Sequence, residues 1–292
     1  MKNDLRLIPA SPLNPKTNWG KLSWPYVCGL LSENPSRYSS TLHNAGFKAL
    51  DLPFSYHGFS VQDITLPIQA MRDMRFRAYS VTIPFKEDVL LLLDGIGPEA
   101  RAIGAVNTII NDGERLHGFN TDWLGVAESF REHKQEFKNE SCLVLGAGGG
   151  AKAAVHALKK LGVGKICITN RTLKRARELG LLFGVDVIDS RRLTSNKIEE
   201  FSIIINCTPG YEIPYFPYEG INRLHTVLDM VTAETRLIKI TQSKGAVAIP
   251  GIRMLLHQGL GQFKLFTEKA PPRLEMEKAL IEYYSLQNKA EQ

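Results

Sequence analysis

VLGAGGGAKAAV, residues 144–155, sets Gly146, Gly148 and Ala151 in a G-x-G-x-x-A spacing. The apolar run CLVLGAG leads into it and reads as a strand. GAKAAVHALKKLG follows and reads as a helix ended by Gly162. Each small residue has a physical task. Gly146 permits the tight turn, Gly148 lets the backbone approach a pyrophosphate, and Ala151 keeps helix and strand close. The unpaired N–H groups of the helix start face the phosphates. In this strand–turn–helix–strand context the spacing predicts a Rossmann-type dinucleotide-binding unit.

The next strand, KICITN, ends at Asn170, twenty-four residues past Gly146. NAD-binding units carry an acid near that point for the ribose hydroxyls. This chain instead has Asn170, Arg171 and Thr172, with Lys174 and Arg175 close by. A carboxylate there repels a 2′-phosphate, whereas a guanidinium binds it bidentately. NADP is therefore expected in preference to NAD.

Strand-like and helix-like runs alternate through most of the 292 residues, which predicts an α/β chain with mostly parallel sheets. Upstream of the glycine turn the reading is YVCGLL as strand, SSTLHNAGF as helix and KALDLPF as strand. VQDITLPIQAMRDM reads as helix, AYSVTI as strand and FKEDVLLLL as helix. In AVNTIINDGERLHGF, Asp112-Gly113 between apolar runs signals a hairpin, an antiparallel element in an otherwise parallel sheet. TDWLGVAESFREH reads as helix and KQEFKNES as a polar linker. Beyond KICITN come the helix TLKRARELGLLF and the strands VDVI, SIIINCT and TVLDMV, then the helix TRLIKITQSKG, the strand AVAIPG and two closing helices. The expected organisation is residues 1–122 plus 252–292 as a substrate-binding domain and 123–251 as an NADP-binding domain.

Composition narrows the function. Hydrophobic residues make up 43% and charged residues 23%, an ordinary globular balance. No apolar run approaches the roughly 18 residues needed to span a bilayer. The polar, proline-rich start lacks the apolar centre of a signal peptide and is expected to be partly disordered. Cys28, Cys142, Cys167 and Cys207 form no CxxC pair, and all four fall in runs that read as buried strands. Reduced thiols in the cytoplasm are expected. No Cys, His, Asp and Glu cluster has metal spacing, and His257 reads as a helix residue rather than a ligand. The net charge of +6 favours an anionic ligand. Its basic residues are scattered, with no nucleic-acid-binding signature beside them.

SVTIPFKED, residues 80–88, ends a strand with Lys86, and GFNTDWLG holds Asp122 at the expected domain boundary. Singly, Lys86 reads as a solvated lysine and Asp122 as a helix cap. Together they supply what oxidation of a secondary alcohol needs besides a hydride acceptor: a group for the hydroxyl proton and a carboxylate to orient it.

SVTIPFKED, GAVNTII, GFNTDWLG, LGAGGGAKAA, TNRTLKRA, INCTPG and GIRMLLHQG occur in the order found in shikimate dehydrogenases and the related quinate/shikimate group, which this chain resembles over about residues 26–270. The resemblance implies two α/β domains and the following roles. Lys86 and Asp122 form the catalytic pair. Arg37, Ser39, Ser80, Thr82, Asn107 and Gln258 lie at substrate positions, Asn107 and Asp122 on the ring hydroxyls. Gly146, Ala147, Gly148, Gly149, Gly150 and Ala151 hold the pyrophosphate. Asn170, Arg171, Thr172 and Arg175 surround the 2′-phosphate, and Thr208 and Met254 line the nicotinamide side. Expected partners are NADP (NADPH) and a small anionic cyclic hydroxy acid, in a cytoplasmic monomer or homodimer without nucleic acid or membrane.

Three motifs at substrate positions depart from the family pattern. Arg37 stands where the first serine of S-x-S-P is found, and Ser40 replaces its proline. Ser80 replaces the asparagine of N-V-T, and Thr232 replaces the tyrosine of D-M-V-Y. Arg37 either binds a carboxylate through a charge-assisted fork or fills space against shikimate. Such exchanges redirect specificity. The implied activity is NADP-dependent reduction of 3-dehydroshikimate or a close cyclic hydroxy acid. The alternatives are a quinate or other polyol acid dehydrogenase and a non-catalytic NADP-binding sensor. A sensor has no need of Lys86 and Asp122 together.

Overall fold

The structure, a computed structural model, describes residues 26–74, 76–133 and 136–290. The polar N-terminal stretch lies outside the described residues. The chain divides into two compact units. One runs to Thr121 and resumes over Gln258–Ala290; the other covers Asp122–His257.

The first unit begins with β1 (Tyr26–Ser32), α1 (Arg37–Ala49), β2 (Phe54–Ser60), α2 (Thr65–Asp73) and β3 (Ala78–Val81). It continues with β4 (Gly95–Ile96), α3 (Pro98–Ile103), β5 (Thr108–Asn111) and β6 (Leu116–Phe119). The strands form one sheet ordered β2-β1-β3-β5-β6-β4. β1 pairs in parallel with β2 and β3, and the β5–β6 hairpin pairs antiparallel with itself and with β3. The hairpin expected at Asp112-Gly113 is present. Its loop has a carboxylate at its centre: Asp112 Oδ1 accepts the N–H groups of Glu114 and Arg115 at 2.9 and 2.7 Å, while Gly113 takes φ +97°.

Several segments differ from the sequence reading. α1 starts two residues before Ser39, at Arg37, so the serines that open the expected helix sit inside its first turn; Ser36 occupies the cap without a side-chain bond. KALDLPF is not a strand. Lys48 and Ala49 finish α1, Asp51 turns the chain at φ +48°, and the strand follows at Phe54–Ser60. Phe54 of that run packs against the helix end instead, its ring tilted 36° to that of Phe47 at 5.1 Å. The expected helix FKEDVLLLL is a series of turns through Glu87 and then a 3-10 helix, Asp88–Leu92. Asp94 N–H bonds Leu116 O at 2.9 Å, which draws the chain out to the sheet edge before a longer helix forms. β4 and α3 carried no periodic signal at their short length. α3 does show proline at its start and left-handed Gly104 at its end.

The second unit contains α4 (Asp122–Arg131), β7 (Ser141–Leu145), α5 (Gly149–Leu161), β8 (Lys165–Asn170), α6 (Leu173–Phe183) and β9 (Asp186–Asp189). After them come α7 (Ser195–Ile198), β10 (Ile203–Asn206), β11 (Thr226–Asp229), α8 (Arg236–Ser243) and β12 (Val247–Ile249). Its sheet is parallel throughout, ordered β12-β11-β10-β7-β8-β9. The chain winds outward from β7 to β9, returns past β7 and winds out again to β12. This is the doubly wound order in which a ligand binds beyond the strand ends at the point of reversal. The glycine turn leaves β7 at that point. Cys207 sits one residue past β10 and is only partly buried; Cys28, Cys142 and Cys167 are buried, and none of the four is in a disulfide.

α9 (Gly251–Thr267) starts in the second unit and ends in the first, and α10 (Arg273–Ala290) follows. Gly46 of α1 lies so close to Phe263 and Met276 that a Cβ would come within 2.6–2.8 Å of their side chains. Among the described residues no helix is long and apolar enough to cross a membrane.

Candidate active site

In the second unit the glycine turn has the local geometry its sequence predicts. Gly146 takes φ +116°, and a Cβ there would lie 3.3 Å from the Cys207 carbonyl. Gly148 begins α5 with no side-chain cap, so the first-turn N–H groups are left without one, and nothing lies within 4 Å of where its Cβ would project. Ala151 is fully buried. Open space in front of uncapped amides is a cradle for an anion, and the residues present fit the pyrophosphate of a dinucleotide.

At the end of β8, Asn170 donates through Nδ2 to Thr172 O at 3.1 Å, while Arg171, Thr172 and Arg175 are exposed. The parallel register sets Asp189 of β9 beside Asn170. That carboxylate is covered by Arg191, with contacts of 3.1 Å from Nε and 2.6 Å from a terminal nitrogen. The guanidinium holds the Asp189 pKa at about 2. The carboxylate that the register sets beside Asn170 is thus already paired with Arg191.

Thr208 follows β10. Its N–H and hydroxyl both reach Asn206 Oδ1, at 3.0 and 2.6 Å. Asn206 Nδ2 in turn donates to buried Asp229 at 2.9 Å. Desolvation raises the Asp229 pKa, and bonds from Thr235, Val231 N–H and Asn206 offset part of that rise. Thr232 sits half-buried in the loop after β11. Met254 is buried on α9, one residue beyond Arg253, whose Nε bonds Glu132 Oε2 at 3.0 Å. His257 Nε2 lies 3.0 Å from Glu132 Oε1. Burial by itself raises the Glu132 pKa, but His257 and Arg253 outweigh it and hold the carboxyl well below its usual range.

In the first unit, Asn107 is the centre of a buried network. Its Oδ1 accepts Thr121 N–H at 2.8 Å, and its Nδ2 donates to Gln258 Oε1 at 3.3 Å. The neighbouring Val106 N–H donates to Lys86 O at 2.8 Å. Lys86 itself is half-buried, beyond the anchor formed by buried Phe85. Thr82 N–H bonds Leu31 O at 3.3 Å, and its carbonyl accepts Phe85 N–H at 3.0 Å. Of the predicted residues, Asn107 and Gln258 are therefore brought into contact. Lys86 belongs to the first unit, and buried Asp122 opens the second.

Arg37 is exposed at the start of α1, while Ser39, two residues further in, is buried. Ser80 is buried on β3, its hydroxyl without a hydrogen-bond partner. Tyr56 of β2 has the same property. Desolvation pushes its phenol well above the usual range, and the Ser80 and Ser39 hydroxyls lie near enough to oppose that rise. Tyr56 was not legible as a site residue because its strand was placed too early. Its backbone is held by Asn44, which accepts Tyr56 N–H and donates to Tyr56 O, both at 2.9 Å. Thr121, within GFNTDWLG, carries no local signal of its bond to Asn107, whereas Gln262 lies one helical turn past Gln258, a spacing that places both on one helix face.

His43 stacks on Tyr56 at 4.6 Å and lies 5.0 Å from the Phe266 ring. Burial lowers its pKa from 6.5 to about 3. The unfolded chain protonates this group near 6.5, so its contribution to stability is complete above that pH and is lost as pH falls toward 3. Between pH 7 and pH 5 the loss is about 2 kcal/mol. Urea unfolding of the wild type and of His43→Gln at both pH values is expected to show that difference. Equal pH slopes in the two proteins would remove the assignment.

Comparison with known proteins identifies the family. Residues 35–109 match the family model described as shikimate dehydrogenase substrate binding domain, residues 128–223 match shikimate / quinate 5-dehydrogenase, and residues 251–281 match shikimate 5'-dehydrogenase C-terminal domain. The chain is 38% identical to the NADP(+) shikimate dehydrogenase of Carboxydothermus hydrogenoformans, over 83% of this chain and 91% of that protein. It is 34% identical to a shikimate dehydrogenase-like protein of Haemophilus influenzae, over 84% and 92%. The crystal structure of shikimate 5-dehydrogenase from Thermus thermophilus in complex with shikimate superposes with a TM-score of 0.80 at 31% identity, covering 88% of this chain and 99% of that one. The expected fold class, two α/β units of which one is a Rossmann-type unit, is the observed one. The chain belongs to the shikimate dehydrogenase family of NADP-dependent oxidoreductases.

Proposed function

We propose that this protein interconverts 3-dehydroshikimate and shikimate with NADPH and NADP. When bound, the nicotinamide supplies the hydride in the reductive direction and accepts it in the oxidative one. Lys86 gives a proton to the carbonyl oxygen as hydride reaches the carbon, and takes it back in the reverse reaction. Asp122 orients the ammonium group and, with Asn107, holds the ring hydroxyls. Arg171 and Arg175 bind the 2′-phosphate, and the first turn of α5 binds the pyrophosphate. The first unit carries the substrate and the second the cofactor, in the cytoplasm.

One observation supports this reading above the others. Residues 106 and 107 are tied on one side to the Lys86 carbonyl and on the other to Thr121, the residue before Asp122. The backbone positions of the two charged residues are thus referred to one short segment, which favours their acting as a pair.

A second reading, a related ring acid such as quinate, is favoured by Arg37, Ser80 and Thr232 at substrate positions and by the unpartnered hydroxyls of Tyr56 and Ser80. Initial rates of NADP- and NAD-linked oxidation of shikimate and quinate, measured side by side, test both. The expected result is the highest kcat/KM for shikimate with NADP. Faster quinate oxidation transfers the assignment to the second reading. NADPH binding without turnover on either acid favours a sensor.

A further inference from the structure

Beyond Asn107 and Gln258, a buried chain of polar side chains runs back through the first unit to α1. The direction of each hydrogen bond follows from groups that act in only one way. Thr121 N–H only donates, so the Asn107 atom 2.8 Å from it is Oδ1. That oxygen only accepts, so the Thr108 hydroxyl 2.7 Å away donates to it. The Asn107 carbonyl also only accepts, so the Gln262 atom 3.2 Å from it is Nε2, which reaches Thr108 Oγ1 at 3.1 Å as well. Gln262 Oε1 therefore faces His43 Nε2 at 3.3 Å, and that nitrogen carries the imidazole proton. At the other end, Asn107 Nδ2 donates to Thr121 Oγ1 at 3.0 Å and to Gln258 at 3.3 Å, which makes the Gln258 atom Oε1. All six side chains are buried. A reversed amide at any link would set two donors or two acceptors face to face where water is absent, so the chain has one polarity.

We infer that Gln262, held by His43, is a positioning residue that fixes the amide direction of Asn107 and through it of Gln258, so that the Gln258 amide keeps its oxygen toward Asn107 and its NH2 end for an oxygen of the ring acid. This rests on the reading that Asn107 and Gln258 contact the substrate. A donor aimed at a hydroxyl or carbonyl oxygen discriminates against ring acids lacking that oxygen, because its polar group is then left unpaired.

Two variants and one spectroscopic measurement test it, with the wild type in parallel on whichever ring acid it turns over best. Gln262→Met keeps the shape and removes all three bonds, to His43, Thr108 Oγ1 and the Asn107 carbonyl. Its KM for the ring acid is expected to rise about tenfold or more, with the Kd for NADPH within about twofold of wild type. Gln262→Glu accepts from His43 but, when ionised, cannot donate to the Asn107 carbonyl. Its KM is expected to be high at alkaline pH and to recover toward wild type as pH falls and the carboxyl regains a proton. Loss of packing alone would produce no such pH-dependent rescue. Ring-acid KM values unchanged in both variants would overturn the role. The 15N shifts of His43 address the polarity without any substrate. Protonation at Nε2 in the wild type is expected, and protonation at Nδ1 would refute the chain of bonds even if the proposed activity stood. A wild type that turns over neither shikimate nor quinate, yet shows the Nε2-protonated form, would count against the activity and leave the polarity supported.

Discussion

Lys86→Ala is expected to lower kcat by about 10²–10⁴, the usual contribution of a positioned proton-transfer group. The Kd for NADPH, read by fluorescence, should stay within about twofold. The structure supports that separation. Lys86 follows β3 in the first unit, whereas the glycine turn and the basic cluster of β8 and α6 lie within the second. The local backbone is also secured without the side chain, by the Val106 N–H on the Lys86 carbonyl and by buried Phe85. Lys86→Arg is expected to be nearly as slow as the alanine variant, since a guanidinium keeps its proton at any working pH. Near-normal turnover in either variant would take proton transfer away from Lys86.

The second large effect is expected at Gly148. This residue has an ordinary extended backbone, φ −99° and ψ −169°, and nothing within 4 Å of where a side chain would project. The Cβ of Gly148→Val therefore meets no atom within 4 Å, and the substitution strains no backbone angle. It fills the space in front of the uncapped amides of α5, where the pyrophosphate belongs. The Kd for NADPH is expected to rise about a hundredfold, equivalent to about 2.7 kcal/mol, with the thermal midpoint nearly unchanged. A drop in stability with intact binding would mean that the glycine serves packing instead. Gly146 would make a poorer test, because φ +116° and the Cys207 carbonyl at 3.3 Å combine strain and clash.

Much of the molecule could be read from its residues because the signals were local. The second unit shows this best. β7, α5, β8 and α6 lie where alternation, a 3.6-residue period and left-handed Gly162 put them. A glycine turn is a short-range device, and its chemistry is contained in a dozen consecutive residues. The first unit was harder. Lys48 to Phe54 reads as one strand, but the chain folds it into a helix end, a turn at Asp51 and a strand start. FKEDVLLLL has the composition of a helix, but a backbone bond from Asp94 to Leu116 draws it toward the sheet. In the second case no window of neighbouring residues contains the partner, Leu116, that decides the outcome.

The candidate site divides along the same line. Lysine after a strand, glycines before a helix and arginines in place of an acid are covalent facts, each with a meaning that holds in any orientation, so the dinucleotide unit, the preference for NADP and the family were all readable in the linear chain. The polarity of Asn107, the hydroxyls of Tyr56 and Ser80, the neutral state of His43 and the part taken by Gln262 were not. Each depends on groups up to 219 residues apart in sequence meeting inside a protein interior. There the cost of an unpaired donor or acceptor forces one arrangement, and that cost arises only once folding has removed the water.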